Sequence, residues 1–375
     1  MVIQLSWASI FVGYQVPGLV YRVLCFECGC TRILQRVSRF FTSDRAGGCC
    51  CNDRSGALPG SEILGFQSPG RLSAPWAGIM KRCLVCSYAF EHQNWRCPRC
   101  GWQPERHGVW PVFCPQRAQN DSGFKSSFFR TLAALEEGNF WFCARNALIT
   151  WTIERYCAGV PSFMEIGCGT GFVLQGLARH FPNMRLIGAD IYTEGISFAA
   201  DRIPGCEFMQ MDARNIPFVD EFEAIGAFDV LEHIDEDEEV LEQMFRSLKR
   251  DGVLLLTVPQ HHWLWSGVDD HACHVRRYTA CDLHEKLARV GFSIVRSTSF
   301  VTILLPLMFL SRLRHRFTGR SYDPQAELSV NPLVDRIFER ILHLELGLIR
   351  RGVSFPVGGS RLAVAKKIGN TGSDS

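Results

Sequence analysis

The sequence predicts an α/β fold: a doubly wound, mostly parallel sheet with helices on both faces. Two observations carry this. The run EIGCGTG at Glu165–Gly171 follows an apolar stretch (Phe163, Met164, Ile166) and precedes a helix-like pattern through Phe172, Val173, Leu174, Leu177 and Ala178. Further hydrophobic, strand-like segments follow, separated by helical patterns, and several end in a carboxylate. A third feature, Cys83-x-x-Cys86 and then Cys97-x-x-Cys100 after ten intervening residues, predicts a small module ahead of the sheet.

At 375 residues the chain suggests about two or three domains, or one large domain with appendages. Its 47% hydrophobic content fits a globular protein with a sizeable core. A net charge of +2 gives no global electrostatic case for nucleic acid. The 17 cysteines are odd in number and form no even framework, which argues against a disulfide-stapled secreted protein. Reduced thiols in a cytoplasmic protein, four of them on a metal, fit better.

Residues 1–79 are left unassigned. Val2–Phe26 is apolar but lacks a basic start and is broken by Gln4, Gly13, Gln15, Pro17 and Gly18, a poor signal peptide and a weak span. Cys25-x-x-Cys28 is at most half a metal site. No motif or periodic core is expected upstream of Met80, and Met80 itself is a candidate natural start.

From Met80 the elements follow in order. The two CxxC pairs offer four thiolates at the corners of a tetrahedron, the arrangement a structural Zn²⁺ requires, so Cys83, Cys86, Cys97 and Cys100 are the metal candidates. Residues 80–104 resemble a zinc ribbon, with His92 outside the ligand set. A linker over 105–134 leads to a helix over Leu135–Tyr156. The glycines of Glu165–Gly171 then let the backbone turn tightly and pass close to a ligand, and the amides opening the next helix attract an anion. G-x-G-x-x-G is not met, because Phe172 stands three past Gly169. MRLIGAD ends in Asp190, where a carboxylate at a strand tip can accept ribose hydroxyls. CEFMQMD ends in Asp212, and AIGAFDVLEHI carries Asp229. Asp235 with Glu238 marks a helix start, Asp251-Gly252 its stop, and GVLLLTVP a fifth buried strand.

The pattern E-x-G-x-G-x-G resembles motif I of the class I S-adenosylmethionine (SAM) methyltransferases, and Ala224–Ile234 resembles their motif IV. The resemblance implies a Rossmann-like fold with a seven-stranded, mostly parallel sheet, and a core over 135–299 closed by a last strand at 359–368. It implies SAM held by Arg145, Glu165, Gly167, Cys168, Gly169, Gly171, Asp190, Ile191, Asp212, Ala213 and Asp229. Asp212 would lie against the adenine and Arg145 would pair with the methionine carboxylate or stay on the surface. Pro259–Thr279 resembles a stretch of the bacterial ubiquinone/menaquinone-type methyltransferases, in the branch ending H-x-R-R-Y-T. That leaves His233, His261, His274 and Tyr278 as catalytic candidates. Related quinone O-methyltransferases also carry carboxylates and a histidine, implicated in divalent metal binding, where Asp229, Glu232 and His233 stand here; the alternative is that Glu232 and His233 merely begin the next helix and line the cleft.

Between strand-like FSIVRSTSF (Phe292–Phe300) and SRLAVAKK (Ser360–Lys367) lies a helical insertion over 300–358. It holds an apolar segment (Phe300–Leu310), four arginines (Arg312, Arg314, Arg316, Arg320) and a helix with an apolar face through Val334, Ile337, Ile341, Leu344 and Leu348. Too short to span a bilayer, the segment either dips into an inner-membrane surface or packs as a lid. Residues 369–375 form a tail. The implied acceptor is a small, lipid-like or quinone/phenol molecule. Two alternatives stand: an RNA methyltransferase reading nucleic acid through Lys81, Arg82, Arg96, Arg99, Trp95 and Trp102 of the ribbon, and a SAM-binding protein without turnover.

Overall fold

The computed structural model describes residues 78–117, 128–318 and 331–368. The readings of Val2–Phe26, Cys25-x-x-Cys28, Arg320 and the tail lie outside the described residues. The described parts fall within one compact unit.

Eleven strands are described. β1 (Met80–Arg82) and β2 (Ala89–Glu91) form a small antiparallel pair. The other nine make one sheet: β3 (Glu105–His107), β4 (Trp110–Val112), β5 (Ser162–Ile166), β6 (Arg185–Asp190), β7 (Glu207–Gln210), β8 (Phe222–Phe228), β9 (Leu248–Pro259), β10 (Phe292–Phe300) and β11 (Ser360–Lys367), in the order β10-β11-β9-β8-β5-β6-β7-β4-β3. Pairing is parallel from β9 through β4 and antiparallel at both margins. The chain runs outward from β5 through β6 to β7, then returns to β8 on the other side of β5. That reversal opens a crevice at the carboxyl ends of β5 and β8, where such sheets bind ligands.

The described α-helices are α1 (Phe128–Leu135), α2 (Phe140–Tyr156), α3 (Phe172–His180), α4 (Thr193–Arg202), α5 (Asp237–Ser247), α6 (Gly267–His271), α7 (Ala280–Val290), α8 (Leu305–Thr318) and α9 (Pro332–Arg350). One apolar cluster lies under β5–β9 with Val240, Leu241, Met244, Leu283 and Leu287, and a second joins Ile149, Ile153, Val173, Leu174, Leu177 and Ile196. Two buried layers against one sheet are what a doubly wound fold requires.

Four expectations need correction. The sheet has nine strands, because residues 105–112, read as linker, form a hairpin that extends its edge: Val112 pairs with Gln210 and the Phe113 amide donates to the Gln210 carbonyl at 2.9 Å. The cysteine module is no separate bead. Ile79 and Trp95 belong to the main core, with Trp95 edge-on to Phe113 at 4.7 Å and to Phe218 at 5.5 Å. Ile79 therefore extends that core one residue upstream of Met80. The helix expected over Leu135–Tyr156 is interrupted at Gly138-Asn139, where the Asn139 side chain accepts the Trp141 amide at 3.0 Å and starts α2 afresh. Finally, α9 buries Leu342, Leu346 and Ile349, while Ile337, Leu344 and Leu348 face solvent. The helix carries two apolar stripes, and the one that fits Ala144 and Leu148 of α2 wins.

Candidate active site

The glycine loop follows β5 directly. Gly167, Gly169 and Gly171 all have positive φ (+72°, +49° and +76°), the left-handed region that other residues occupy at a cost. Their surroundings differ. A Cβ on Gly167 would strike the Val230 side chain, and one on Gly171 would come within 3.0 Å of the Ala199 Cα. A Cβ on Gly169 would meet nothing closer than the Phe129 ring at 3.7 Å. Two glycines therefore permit packing, and the middle one keeps the cradle open.

A cleft of about 620 Å³ opens in front of this loop, within the range of ligand sites. Of the proposed cofactor residues, Gly167, Gly169, Asp190, Ile191, Asp212, Ala213 and Asp229 line it. Asp190 accepts the amides of Gly169 (2.8 Å) and Tyr192 (2.9 Å). Burial raises its pKa against the pull of those bonds. Asp212 is gripped by Arg214 through two bonds (3.0 and 2.9 Å) and approached by Arg117 at 3.5 Å, and burial raises it also.

The remaining cofactor candidates do not line the cleft. Glu165 is buried inside β5, and burial pushes its carboxyl well above the usual range. The Cys168 side chain packs into the second apolar cluster, and Gly171 caps α3. Arg145 is engaged elsewhere than expected. Its Nε lies 2.7 Å from Asp229 Oδ2, its Nη2 donates to the Phe228 carbonyl at 2.8 Å, and its guanidinium stacks 5.0 Å from the Trp141 ring.

Of the catalytic candidates, His233 lines the cleft. Burial, reinforced by the nearby His274, pushes it down to about 3, so its imidazole is neutral at physiological pH. The Val275 amide donates to the Glu232 carbonyl at 2.8 Å, which seats the H-x-R-R-Y-T segment beside the Asp229–His233 turn. The rings of His233 and His274 are 4.7 Å apart. Potential ligand atoms of Glu232, His233 and His274 lie within 4.8 Å of one another. His274 is oriented through Nδ1 on Asp269 (2.9 Å), which Arg277 also holds at 2.7 Å. Asp229, taken by Arg145, stands outside that group. Tyr278 and His261 belong to the framework. The Tyr278 phenol is buried and donates to Asp237 at 2.7 Å, which with burial raises its pKa; His261 stacks on Trp263 at 5.2 Å.

Several cleft residues fall in stretches read as linker: Phe129 and Leu132 of α1, and Arg117. The helical period of FFRTLAAL was the available signal for the first two. A buried polar clip fixes α1 above the loop: the Thr170 hydroxyl and Arg202 donate to Glu136 at 2.6 and 2.7 Å. Gln210 staples the cleft wall: its side chain accepts the Cys114 amide (2.9 Å) and donates to the carbonyls of Cys114 (2.9 Å) and Ile191 (3.0 Å).

The four cysteines converge. Cys83 and Cys100 sulfurs are 3.5 Å apart, Cys86 and Cys97 sulfurs 3.6 Å, and all four fall within 4.8 Å of one another. A tetrahedron with Zn–S bonds of ~2.3 Å has S–S edges of about 3.8 Å, so the donor set fits the ion.

Residues 163–252, the segment holding the glycine loop, Asp190, Asp212 and Asp229, match the family model described as a methyltransferase domain. The chain is similar to a "Probable S-adenosylmethionine-dependent methyltransferase" of Mycolicibacterium smegmatis, 28% identical over 171 residues, covering 44% of this chain and 64% of that one. It is similar to the demethylmenaquinone methyltransferase of Thermotoga maritima, 32% identical over 94 residues, 25% of this chain and 41% of that one. The chain thus spans less than two thirds of either curated relative. Among solved structures, the [4+2]-cyclase SpnF aligns at 21% identity and a TM-score of 0.42, over 61% of this chain and 83% of that one.

Proposed function

We propose that the protein is a SAM-dependent methyltransferase acting on a small, lipid-like or quinone/phenol acceptor. The observation that carries this is the cleft itself: Gly169, Asp190 and Asp212 line it together with His233 from motif IV. Glycine amides and the Asp190 carboxylate suit the ribose, the Ile191–Asp212 wall suits the adenine, and the His233 side is left for the acceptor. When bound, SAM supplies the activated methyl group. The chain's own part is to align the acceptor with the methyl and to exclude water.

A histidine held near pKa 3 is a poor base at neutral pH. An acceptor that arrives ionised, or one whose oxygen is acidified by a cation, suits this site; Glu232, His233 and His274 offer a carboxylate and two imidazoles that suit such an ion. The cysteine module, read as a zinc ribbon, is a structural brace. Its Lys81 and Trp95 are turned inward, which removes two of the six ribbon residues an RNA reader would use and supports the small-molecule reading. We read the insertion as the place of peripheral membrane contact; among the described residues no helix is long and apolar enough to cross a membrane.

The test is incubation with isotopically labelled SAM and separate lipid and RNA extracts, read by mass spectrometry. Label in a small lipid or quinone fraction supports the reading. Label in RNA moves the ribbon-reader alternative ahead, and binding without any labelled product leaves the non-catalytic alternative.

A further inference from the structure

Glu232 is fully buried, and among the described residues neither of its carboxylate oxygens finds a donor on another residue. Burying a carboxylate without a partner is costly, and a buried polar group left unsatisfied calls for something that binds it. Two guanidiniums are close enough to act on its charge, but both are engaged. Arg145 holds Asp229 at 2.7 Å and the Phe228 carbonyl at 2.8 Å. Arg277 holds Asp269 at 2.7 Å and the Gln260 carbonyl at 3.1 Å.

What Glu232 does meet is imidazole. One ligand atom each from Glu232, His233 and His274 lies within 4.8 Å of the other two. Donors about 2.0–2.2 Å from one ion stand no more than about 4.4 Å apart, so small side-chain rotations close the set. His274 is already braced for that role. Its Nδ1 lies 2.9 Å from Asp269 Oδ1, and a proton shared there leaves the lone pair on Nε2. Asp269 is itself fully buried, held by Arg277 and by the Ser266 amide at 2.8 Å. A histidine oriented by a buried carboxylate is the usual support of a metal ligand. The Val275 amide on the Glu232 carbonyl pins the two segments together, so the fold itself brings the donors to one place.

We propose that Glu232, His233 and His274 bind a divalent first-row transition metal, with His274 in the place that the sequence offers to Asp229. Asp229 is committed to Arg145 and stands outside the set. Two imidazoles and one carboxylate suit zinc, manganese, iron or cobalt, whereas magnesium and calcium prefer oxygen donors. Three protein ligands leave a position open for a substrate atom. His233 lines the cleft, so the open side is the one the acceptor reaches. An acceptor oxygen on such an ion ionises more readily. That role rests on the proposed methyl transfer; the binding of the metal does not.

The experiment uses the full chain, with zinc on the cysteine module and loosely held ions removed by dialysis against citrate. It is titrated with cobalt(II) chloride in the absence of SAM, read by calorimetry and visible absorption. The expected result is about one further cobalt per chain, with ligand-field bands and none of the charge-transfer absorption that cysteine sulfur gives. Glu232→Gln keeps the shape of the side chain, and it should weaken cobalt binding at least about 100-fold, as should His274→Gln. Melting curves without cobalt establish that each variant is folded. The inference is overturned if no cobalt binds beyond the cysteine module, or if the further cobalt shows sulfur charge transfer. It is overturned equally if folded Glu232→Gln binds cobalt as the parent does, which would leave the buried carboxyl simply protonated. A SAM titration of the cobalt-free protein stands apart: SAM binding without a cobalt site defeats this inference alone, and cobalt binding without SAM binding defeats only the methyltransferase reading.

Discussion

Substituting the glycines of the Gly167–Gly171 loop one at a time separates packing from ligand access. Gly171→Ala carries two penalties. A left-handed backbone costs a non-glycine residue about 1–2 kcal/mol, and the new Cβ lands 3.0 Å from the Ala199 Cα, backbone of α4 that must shift. Overpacking of that kind costs about 1–3 kcal/mol. The sum, about 2–5 kcal/mol, is a large part of a folding stability of order 5–15 kcal/mol, so this variant should melt early. Gly169→Val pays the backbone penalty alone, since its Cβ meets nothing closer than 3.7 Å. Its methyl groups then fill the cradle. That variant should stay folded and lose SAM affinity by at least about 100-fold, equivalent to ~2.7 kcal/mol. Thermal melting and calorimetric titration with SAM read the two effects. A Gly169→Val protein that binds SAM like the parent, or a Gly171→Ala protein as stable as the parent, would refute the reasoning.

Glu232, buried and near Asp229, has a raised pKa, so folding takes up a proton there. That contribution is whole below the unfolded value of ~4.3 and is lost as pH climbs toward the folded value. Glu232→Gln should therefore gain stability relative to the parent between pH 5 and 8, with the gap in melting temperature widening as pH rises; a constant or shrinking gap would contradict it. Gln210→Leu leaves three partly buried backbone groups without their side-chain partner and should both destabilise the fold and weaken SAM binding through the Ile191–Asp212 wall. Unchanged SAM affinity in a folded Gln210→Leu protein would count against the staple. The reduced protein should hold about one zinc per chain, and Cys83→Ser should release it. Because Trp95 and Ile79 share the main core, zinc loss should lower a single melting transition, and a separate early transition would show the module to be independent.

The parts of the cleft legible in the sequence are those where one short segment holds a strand, its terminal carboxylate and the turn. The glycine loop, Asp190, Asp212 and Asp229 are of this kind. What stayed hidden depends on distant pairing. β3 and β4 are three residues each, too short for a visible alternation, and exist because Gln210 reaches back 96 residues to Cys114. Phe129 roofs the loop through a clip, Glu136 on Arg202 and Thr170, that no local spacing announces. Residue type misled where a polar group serves folding: Tyr278 reads as chemistry, yet its phenol is satisfied by Asp237 in the core. Arg145 reads in the sequence as pairing with a ligand's carboxylate or staying on the surface, because Asp229, which it meets at 2.7 Å, comes from another strand. On α9 two apolar stripes were equally readable, and the choice between them lay with α2.

The central claim is that this cleft holds SAM, and the direct measurement is a calorimetric titration of the unmodified protein with SAM and with S-adenosylhomocysteine. One site per chain, in the micromolar range usual for metabolite sites, with each ligand displacing the other and Asp190→Ala binding both more weakly, is the predicted result. Absence of binding to either ligand, or equal affinity in Asp190→Ala, would contradict the account.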